Sequence, residues 1–341
     1  MNSHSRKQYS ALQANLAKGY GVQNVTEQFT VEPSVEQRLQ DKIVEQSTFL
    51  QKINVITVDE MTGQNILGYA NGPASGRTDT SGDKERVPVN LLGMDSNIFT
   101  LHQTDSDVYM LYSHLDAWAK FHDFQERYAR YVQARIANDR EVIGWNGVSA
   151  AADTNITTYP LMQDVNKGWL QYMREKRAAN ILAEGGSVAG AIKVGTDGDF
   201  KSIDHIVADL KQGIPKWLRK DLVALVGDEL VGTESTGLYK AIVDDPVKKL
   251  AATASLEKFG GLPWETPSNF PGRGLVITSY SNLSIYTQSG SWRRNLKDKP
   301  EKNRVEDFNS RNEGYTVENT EAFVALEFDN VLISDGAGGW A

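Results

Sequence analysis

The chain has 341 residues, 40% of them hydrophobic and 23% charged, the balance of a soluble globular protein with room for about two domains. It has no cysteine, which excludes disulfides, thiol nucleophiles and Cys-ligated zinc, and no apolar run of membrane-spanning length. A formal charge of −8 argues against a protein that grips nucleic acid over a broad surface, since an acidic wall repels DNA. No apolar core of signal-peptide length follows Met1–Lys7, so the chain is expected to stay where it is made unless assembled particles are released by lysis.

Residues 1–29 look detachable. Tyr9, Leu12 and Leu16 share one helical face, Gly19 and Gly21 stop the helix, and Arg6, Lys7 and Lys18 outnumber the one acid, Glu27. The segment reads either as an amphipathic terminus docked on its own domain or as a temporary assembly segment. Pro33 opens a short helix, with Ser34 as cap and Gln37 reaching back to it. Val35, Leu39 and Ile43 form its apolar stripe, and Phe49 and Leu50 close the element. Ile53–Val58 alternates like a strand. From Asp59 to Asn90 glycines and prolines surround a Ser/Thr/Asp-rich tip at residues 74–83, and alternation resumes at Asn97–Leu101 and Tyr109–Tyr112. This is a long two-stranded excursion with a flexible tip. An isolated ribbon is marginal in water, so it needs a surface to lie on, and another subunit can supply one.

A capping box at Ser113–Asp116 then starts an uninterrupted helix to Ile143, ended by Gly144 and Gly147. Its apolar face carries Leu115, Trp118, Phe121, Phe124, Tyr128, Tyr131, Val132 and Ile136, with Glu126, Arg127, Arg130, Arg135, Asp139 and Arg140 on the remainder. At 1.5 Å per residue it is a beam of roughly 40 Å. Residues 151–300 form a mixed α/β body. Leu161–Ala179 is predicted helical, with Val165, Trp169, Tyr172 and Met173 inward. Ile192–Val194 is a short strand, Asp199 or Ser202 caps a helix over Ile203–Gln212, and the unbroken apolar run Leu222–Val226 is a strand covered on both faces. Gly227–Leu256 reads as mostly helical, Gly260–Pro263 as a turn, Leu275–Ser279 and Leu283–Tyr286 as strands, and Arg293–Arg304 as a charged connector. Strands return at Tyr315–Val317 and Ala322–Phe328, and the tail at 336–341 is expected to be loose.

Motifs for chemistry are absent. There is no G-x-x-x-x-G-K-[ST] and no G-x-G-x-x-G. Of the five histidines, only His114 and His122 could share a helix face, and no carboxylate sits correctly between them for a zinc site. Gly195–Asp199 lacks the order of a calcium loop, Gly72–Gly76 has the wrong spacing for a nucleophile elbow, and Asp244–Asp245 precede Pro246 as a turn or helix start. The seven tryptophans are dispersed and read as core and interface packing rather than a sugar platform. No catalytic, cofactor-binding or metal-binding residue is assigned, and no cofactor is expected. What remains is a chain of outstretched parts around a body, suited to contact with copies of itself.

Several stretches in one order carry a resemblance: Phe29–Val35, Thr78–Gly82 with Glu85-Arg86, Leu115–Ala119 followed by Asp123–Gln125, and Gly144-Trp-Asn-Gly147. Leu161–Val165 with Gly168–Gln171, Asn282–Tyr286 and Arg304–Asp307 follow. On these the sequence resembles the major capsid protein family of phage P2 and its relatives, from about Phe29 to about Phe328. The resemblance implies an α+β HK97-like capsid fold with a long spine helix, an extended β-hairpin E-loop, a peripheral (P) domain and an axial (A) domain. It divides the chain into an N-terminal assembly segment at 1–29, an N-arm and short helix at 30–53, and an E-loop at 54–110. The P domain with the spine helix follows at 111–150, the A domain at 151–300, and closing P-domain strands with the tail at 301–341. It further implies hexamers and pentamers in an icosahedral shell that encloses double-stranded DNA without reading its sequence, assembled in the host bacterial cytoplasm. Its partners are a scaffold-linked maturation protease and a portal protein, with a decoration protein left open and no membrane. The protease is expected to cut near Phe29-Thr30. Lys–Asn crosslinks have no supporting motif here. The rival readings are a portal or tail component, or a hydrolase or carbohydrate-binding protein on the α/β body.

Overall fold

In the computed structural model the described residues are all but 71–74, 76, 80, 82–84, 88–91, 119, 122, 196, 236–256, 335–338 and 341. The first helix, α1 (Ser3–Tyr20), starts where the Asn2 side chain accepts the Ser5 amide and stops at Gly21, which takes the left-handed conformation that a glycine adopts without cost. Tyr9 and Leu12 are buried beneath it, so the segment docks on its own chain. After β1 (Phe29–Thr30) comes α2 (Pro33–Val44). Glu32, not Ser34, precedes this helix, and its side chain makes no cap bond. Pro33 is the reason: its fixed φ and missing N–H suit the first helical position, so the helix begins two residues sooner than a Ser34 cap would allow. Strand β2 (Asn54–Val58) leads into the antiparallel ribbon β3 (Thr62–Ala70) and β4 (Leu92–Thr100), paired over nine rungs from Thr62↔Thr100 to Ala70↔Leu92. Half of the tip expected at 74–83 lies outside the described residues. Strands β5 (His102–Asp105) and β6 (Val108–Leu111) follow.

The beam is two helices, not one. α3 (Tyr112–Trp118) stops before α4 (Phe124–Asn146), which alone spans roughly 35 Å. Phasing explains the break. Leu115 and Phe124 are both sealed in the core. Nine residues of continuous helix at 3.6 per turn would aim them in opposite directions. The turn between α3 and α4 brings both inward and leaves Trp118 and Phe121, expected inside, at 39% and 51% exposure. Tyr131 is also on the outer face, while Tyr128, Val132 and Ile136 are buried as expected. α5 (Trp169–Arg177) begins eight residues later than the periodicity suggests. The stretch before it holds a left-handed Met162, a conformation that a helix interior does not admit.

The remaining elements are β7 (Ile181–Leu182), β8 (Ile192–Val194), α6 (Ile203–Leu210), β9 (Val223–Val226), β10 (Trp264–Glu265), β11 (Leu275–Thr278), β12 (Leu283–Gln288), β13 (Arg293–Lys299), β14 (Arg304–Val317), β15 (Val324–Leu326) and β16 (Val331–Ile333). Ser202 caps α6 by accepting the His205 amide. Residues 228–235 are helical, and the rest of the helix expected to Leu256 lies outside the described residues. The supposed connector Arg293–Arg304 is β13 and the turn of a hairpin with β14. Only Leu296 of β13 is buried, so its composition reads as solvent-facing while its backbone is laddered. Nor is the tail wholly loose: Trp340 bridges to Ser334 and lies under the Lys193 ammonium, 5.2 Å from its ring centroid.

Two main sheets organise the chain. One has seven strands in the order β1-β13-β14-β12-β2, with β5 and β6 also paired to β14; the other runs β10-β9-β11-β15-β7. The second is a wall between two cores. Leu225, Val276 and Ala325 face the core shared with α1, α4 and α5, while Ala224, Val226, Leu275, Ile277, Val324 and Leu326 face the core under α6. Alternation in strands whose two faces are both covered produces the unbroken apolar runs.

Candidate assembly surfaces

The ribbon leaves the body at a fixed root. The Phe99 ring stacks on Tyr286 with centroids 4.7 Å apart and planes 5° from parallel, and the Tyr286 hydroxyl donates to Glu318 at 2.8 Å. Gly63 sits opposite. A Cβ there would come within 2.5 Å of the Phe99 ring, so only glycine lets the two strands pass at the root. Beyond it the ribbon pairs with no other described strand.

The N-terminal segment lies against α4 and β13. Arg6 pairs with Asp298 at 2.7 Å, Asn15 donates to Gln125 at 2.6 Å, and Arg294 donates to the Tyr20 hydroxyl at 2.6 Å. Phe29 and Thr30, the expected seam, form β1, opposite Arg294 and Arg293 at the edge of the seven-stranded sheet. Phe29 is half-buried and Thr30 exposed.

Beneath these surfaces lies a charge network the sequence reading passed over. Arg140 of α4 donates to Glu313 of β14 at 2.9 Å. Arg311 grips the same carboxylate through two bonds of 2.9 Å and reaches Ser106 at 2.9 Å. Burial would raise the Glu313 carboxyl, but Arg311 and Arg140 outweigh it and hold it below the ordinary glutamate value. Burial lowers Arg140, with Glu313 opposing. A second knot joins Arg294 to Asp307 at 2.6 Å, and Tyr128 donates to that carboxylate at 2.9 Å. Burial works against the Arg294 charge, yet Asp307 and its neighbours push its pKa up. A signal existed. On β14 the odd positions Asp307, Asn309, Arg311 and Glu313 are in phase with Val305, Tyr315 and Val317, and on α4 Arg140 is in phase with Ile136 and Ile143. Charges on an apolar phase announce a buried network.

The glycine and tryptophan stretches meet one another. Trp145 and Trp169 lie 4.7 Å apart between Phe49, Phe270 and Tyr315, joining the stretch after α2, the end of α4, α5, β14 and the loop before β11. Gly144 gives room to the Trp169 ring, which would be 2.4 Å from a Cβ there. Gly147 and Gly168 cross backbone to backbone, and added Cβ atoms would lie 2.2 Å from the Asn166 carbonyl oxygen and 2.3 Å from that of Gly144. Asn282 ties the sheets by donating to the Asn319 carbonyl at 2.9 Å and accepting the Asn319 amide at 2.6 Å.

No catalytic constellation assembles among the described residues. Of the histidines, His4 lies on α1, His102 on β5, His114 on α3 and His205 on α6. Among those residues no three His, Cys, Asp or Glu side chains converge as metal ligands. An open cleft of about 360 Å³ beside β13 includes Asp105, Asp107, Arg293 and Lys297. Burial raises the Asp107 carboxyl, and the Asn309 amide opposes the rise. No described helix is long and apolar enough to cross a membrane.

Comparison with known proteins agrees over nearly the whole chain. The family described as phage major capsid protein, P2 family, matches residues 8–329. The capsid protein of Escherichia phage P2 is 34% identical, with 96% of this chain and 95% of that protein covered. The major capsid protein of Serratia phage KSP20 is 30% identical, covering 96% and 94%. A subunit of the satellite phage P4 procapsid, solved with the size determination (Sid) protein, superposes with a TM-score of 0.76 at 32% identity over 98% of this chain and 99% of that one.

Proposed function

The chain belongs to the P2 family of phage major capsid proteins, and on that footing we propose that it builds an icosahedral shell from hexamers and pentamers of itself around a double-stranded DNA genome. The fold is the HK97-like capsid fold of its structural neighbours, and its role is structural rather than catalytic. The observation that carries the reading is a ribbon nine rungs long that pairs with no other described strand. Two strands alone are marginal in water, and a neighbouring subunit supplies the missing surface.

The shell forms in the host bacterial cytoplasm with a scaffold-linked protease and a portal protein as partners. We place the maturation cut at or near Phe29-Thr30. Two features support it: the segment is extended there and lies at a sheet edge. DNA is enclosed rather than read, in keeping with the net charge of −8. The test is negative-stain microscopy of the chain co-expressed with its protease and scaffold, plus intact-mass measurement of the particles. Closed megadalton shells whose subunits begin near Thr30 are expected. Single rings would move the reading to a portal or tail component, and an intact N-terminus in mature shells would remove the cut.

A further inference from the structure

The inner line of α2 is mostly polar. Glu36, Gln40 and Ile43 follow one another at i, i+4 and i+7, and all three are buried. A helix this short holds its place by burying an apolar stripe. Here two of the three inward positions are polar, and Val35 and Leu39 are only partly covered. Glu36 is 2% exposed and Gln40 1%. The Gly290 amide, in the turn between β12 and β13, donates to Glu36 Oε2 at 2.8 Å. Among the described residues no hydrogen-bond partner reaches Glu36 Oε1 or either polar atom of the Gln40 side chain. Buried polar groups without partners weaken the seat of the helix that bears them.

Among the described residues nothing balances a charge on Glu36. The helix lies against α4 and the turn before β13, and Gln37 accepts the hydroxyl of Thr57 on β2 at 3.3 Å. On α4 the buried Arg140 and Glu141 are engaged elsewhere, Arg140 by Glu313 and Glu141 by the Ser47 hydroxyl. Arg38, Asp41 and Lys42 on α2 itself, Asp59 beyond β2, Arg293 beyond the turn and Lys18 of α1 exert no pull on the Glu36 carboxyl. Burial therefore pushes that carboxyl above its ordinary value of 4.5, and only the Gly290 amide opposes the rise. A raised folded value fixes the sign. The seat of α2 is whole below 4.5 and weakens as the pH climbs through the folded value, because the unseated acid gives up its proton first. Glu313 acts in the opposite sense and below 4.5, so the two windows do not overlap.

We propose that α2 is a proton-controlled latch, seated while Glu36 is neutral and loosened when Glu36 ionises. Loosening frees the length of chain that joins β1 to β2 at the foot of the ribbon, while α4 and the two main sheets stay in place. Amide hydrogen exchange reads a local opening of this kind. In the full-length, unassembled chain, Glu36→Gln keeps an acceptor for the Gly290 amide and removes the charge. At about pH 8, residues 37–44 of that variant should exchange several-fold more slowly than those of the wild type, and the gap should narrow as the pH falls toward 4.5. A gap that does not change with pH, or no gap at all, overturns the latch. The wild type alone supplies a second measurement: protection of residues 37–44 relative to β12 should fall between about pH 5 and about pH 8. Constant relative protection, or exchange of α2 only in step with β12, overturns the latch whether or not the variant folds. The latch belongs to the single subunit, so its failure leaves the shell reading intact, and a failure to form shells leaves the latch intact.

Discussion

The guanidinium of Arg140 on α4 meets the carboxylate of Glu313 on β14 at 2.9 Å, and neither side chain reaches solvent. Arg311 shares that carboxylate, so one anion neutralises two buried cations. Glu313→Ala leaves both cations without compensation and should cost about 3–5 kcal/mol in urea unfolding. A loss under about 1 kcal/mol would mean that solvent reaches the site.

The same carboxylate sets an acid limb. Burial would raise Glu313, but Arg311 and Arg140 prevail, and its folded pKa lies below the ordinary 4.5. Its contribution is therefore whole above 4.5 and is lost as pH falls through the depressed folded value. The unfolding midpoint of the wild type should decline across that window, and Glu313→Gln should flatten that part of the curve. Parallel curves for the two proteins would assign the acid limb to other groups.

Two aromatic residues on either side of the helix break should behave oppositely. Phe124 is 1% exposed and Trp118 is 39% exposed. Phe124→Ala should cost about 3–5 kcal/mol, and Trp118→Ala about 1 kcal/mol or less. Chemical denaturation of the pair decides it; equal losses would restore a continuous helix with Trp118 inside.

Gly144→Ala places a methyl 2.4 Å from the ring of fully buried Trp169. Overpacking of that kind costs about 1–3 kcal/mol. Thermal unfolding measures it, and a neutral change would show that the ring can move aside.

Deleting residues 74–83, between β3 and β4, should leave the unfolding midpoint of the subunit unchanged while particle yield falls. Sedimentation alongside circular dichroism separates the two effects. Normal particles from the deleted chain would show that the ribbon tip is not part of an inter-subunit arm.

Residues whose burial and type agree were legible. The apolar run at 222–226 told its own story, as did the stop at Gly21, and the cap of α6 was narrowed to Asp199 or Ser202, of which Ser202 holds it. Legibility failed where a long-range partner changed the meaning of a residue. β14 buries Glu306, Asp307, Asn309, Arg311 and Glu313, which by type belong in water. Trp118 and Phe121 look like core in a continuous helix and lose that place because Leu115 and Phe124 demand different phases. Leu161–Val165 has helical spacing, but the left-handed Met162 and the buried Asp164 turn it into a fastened loop.

By itself, then, the sequence determined many of the elements in their order and, through many short matches in one order, a resemblance to the family, which in turn implied the α+β class. These depend on neighbours along the chain and on residue type. Only the tertiary structure decided where the beam breaks, which charges are buried and which apolar residues remain outside. Burial is a property of pairs brought together from distant positions: Arg140 with Glu313, Gly144 with Trp169, Phe99 with Tyr286. No local spacing encodes the position of a partner that lies many residues away.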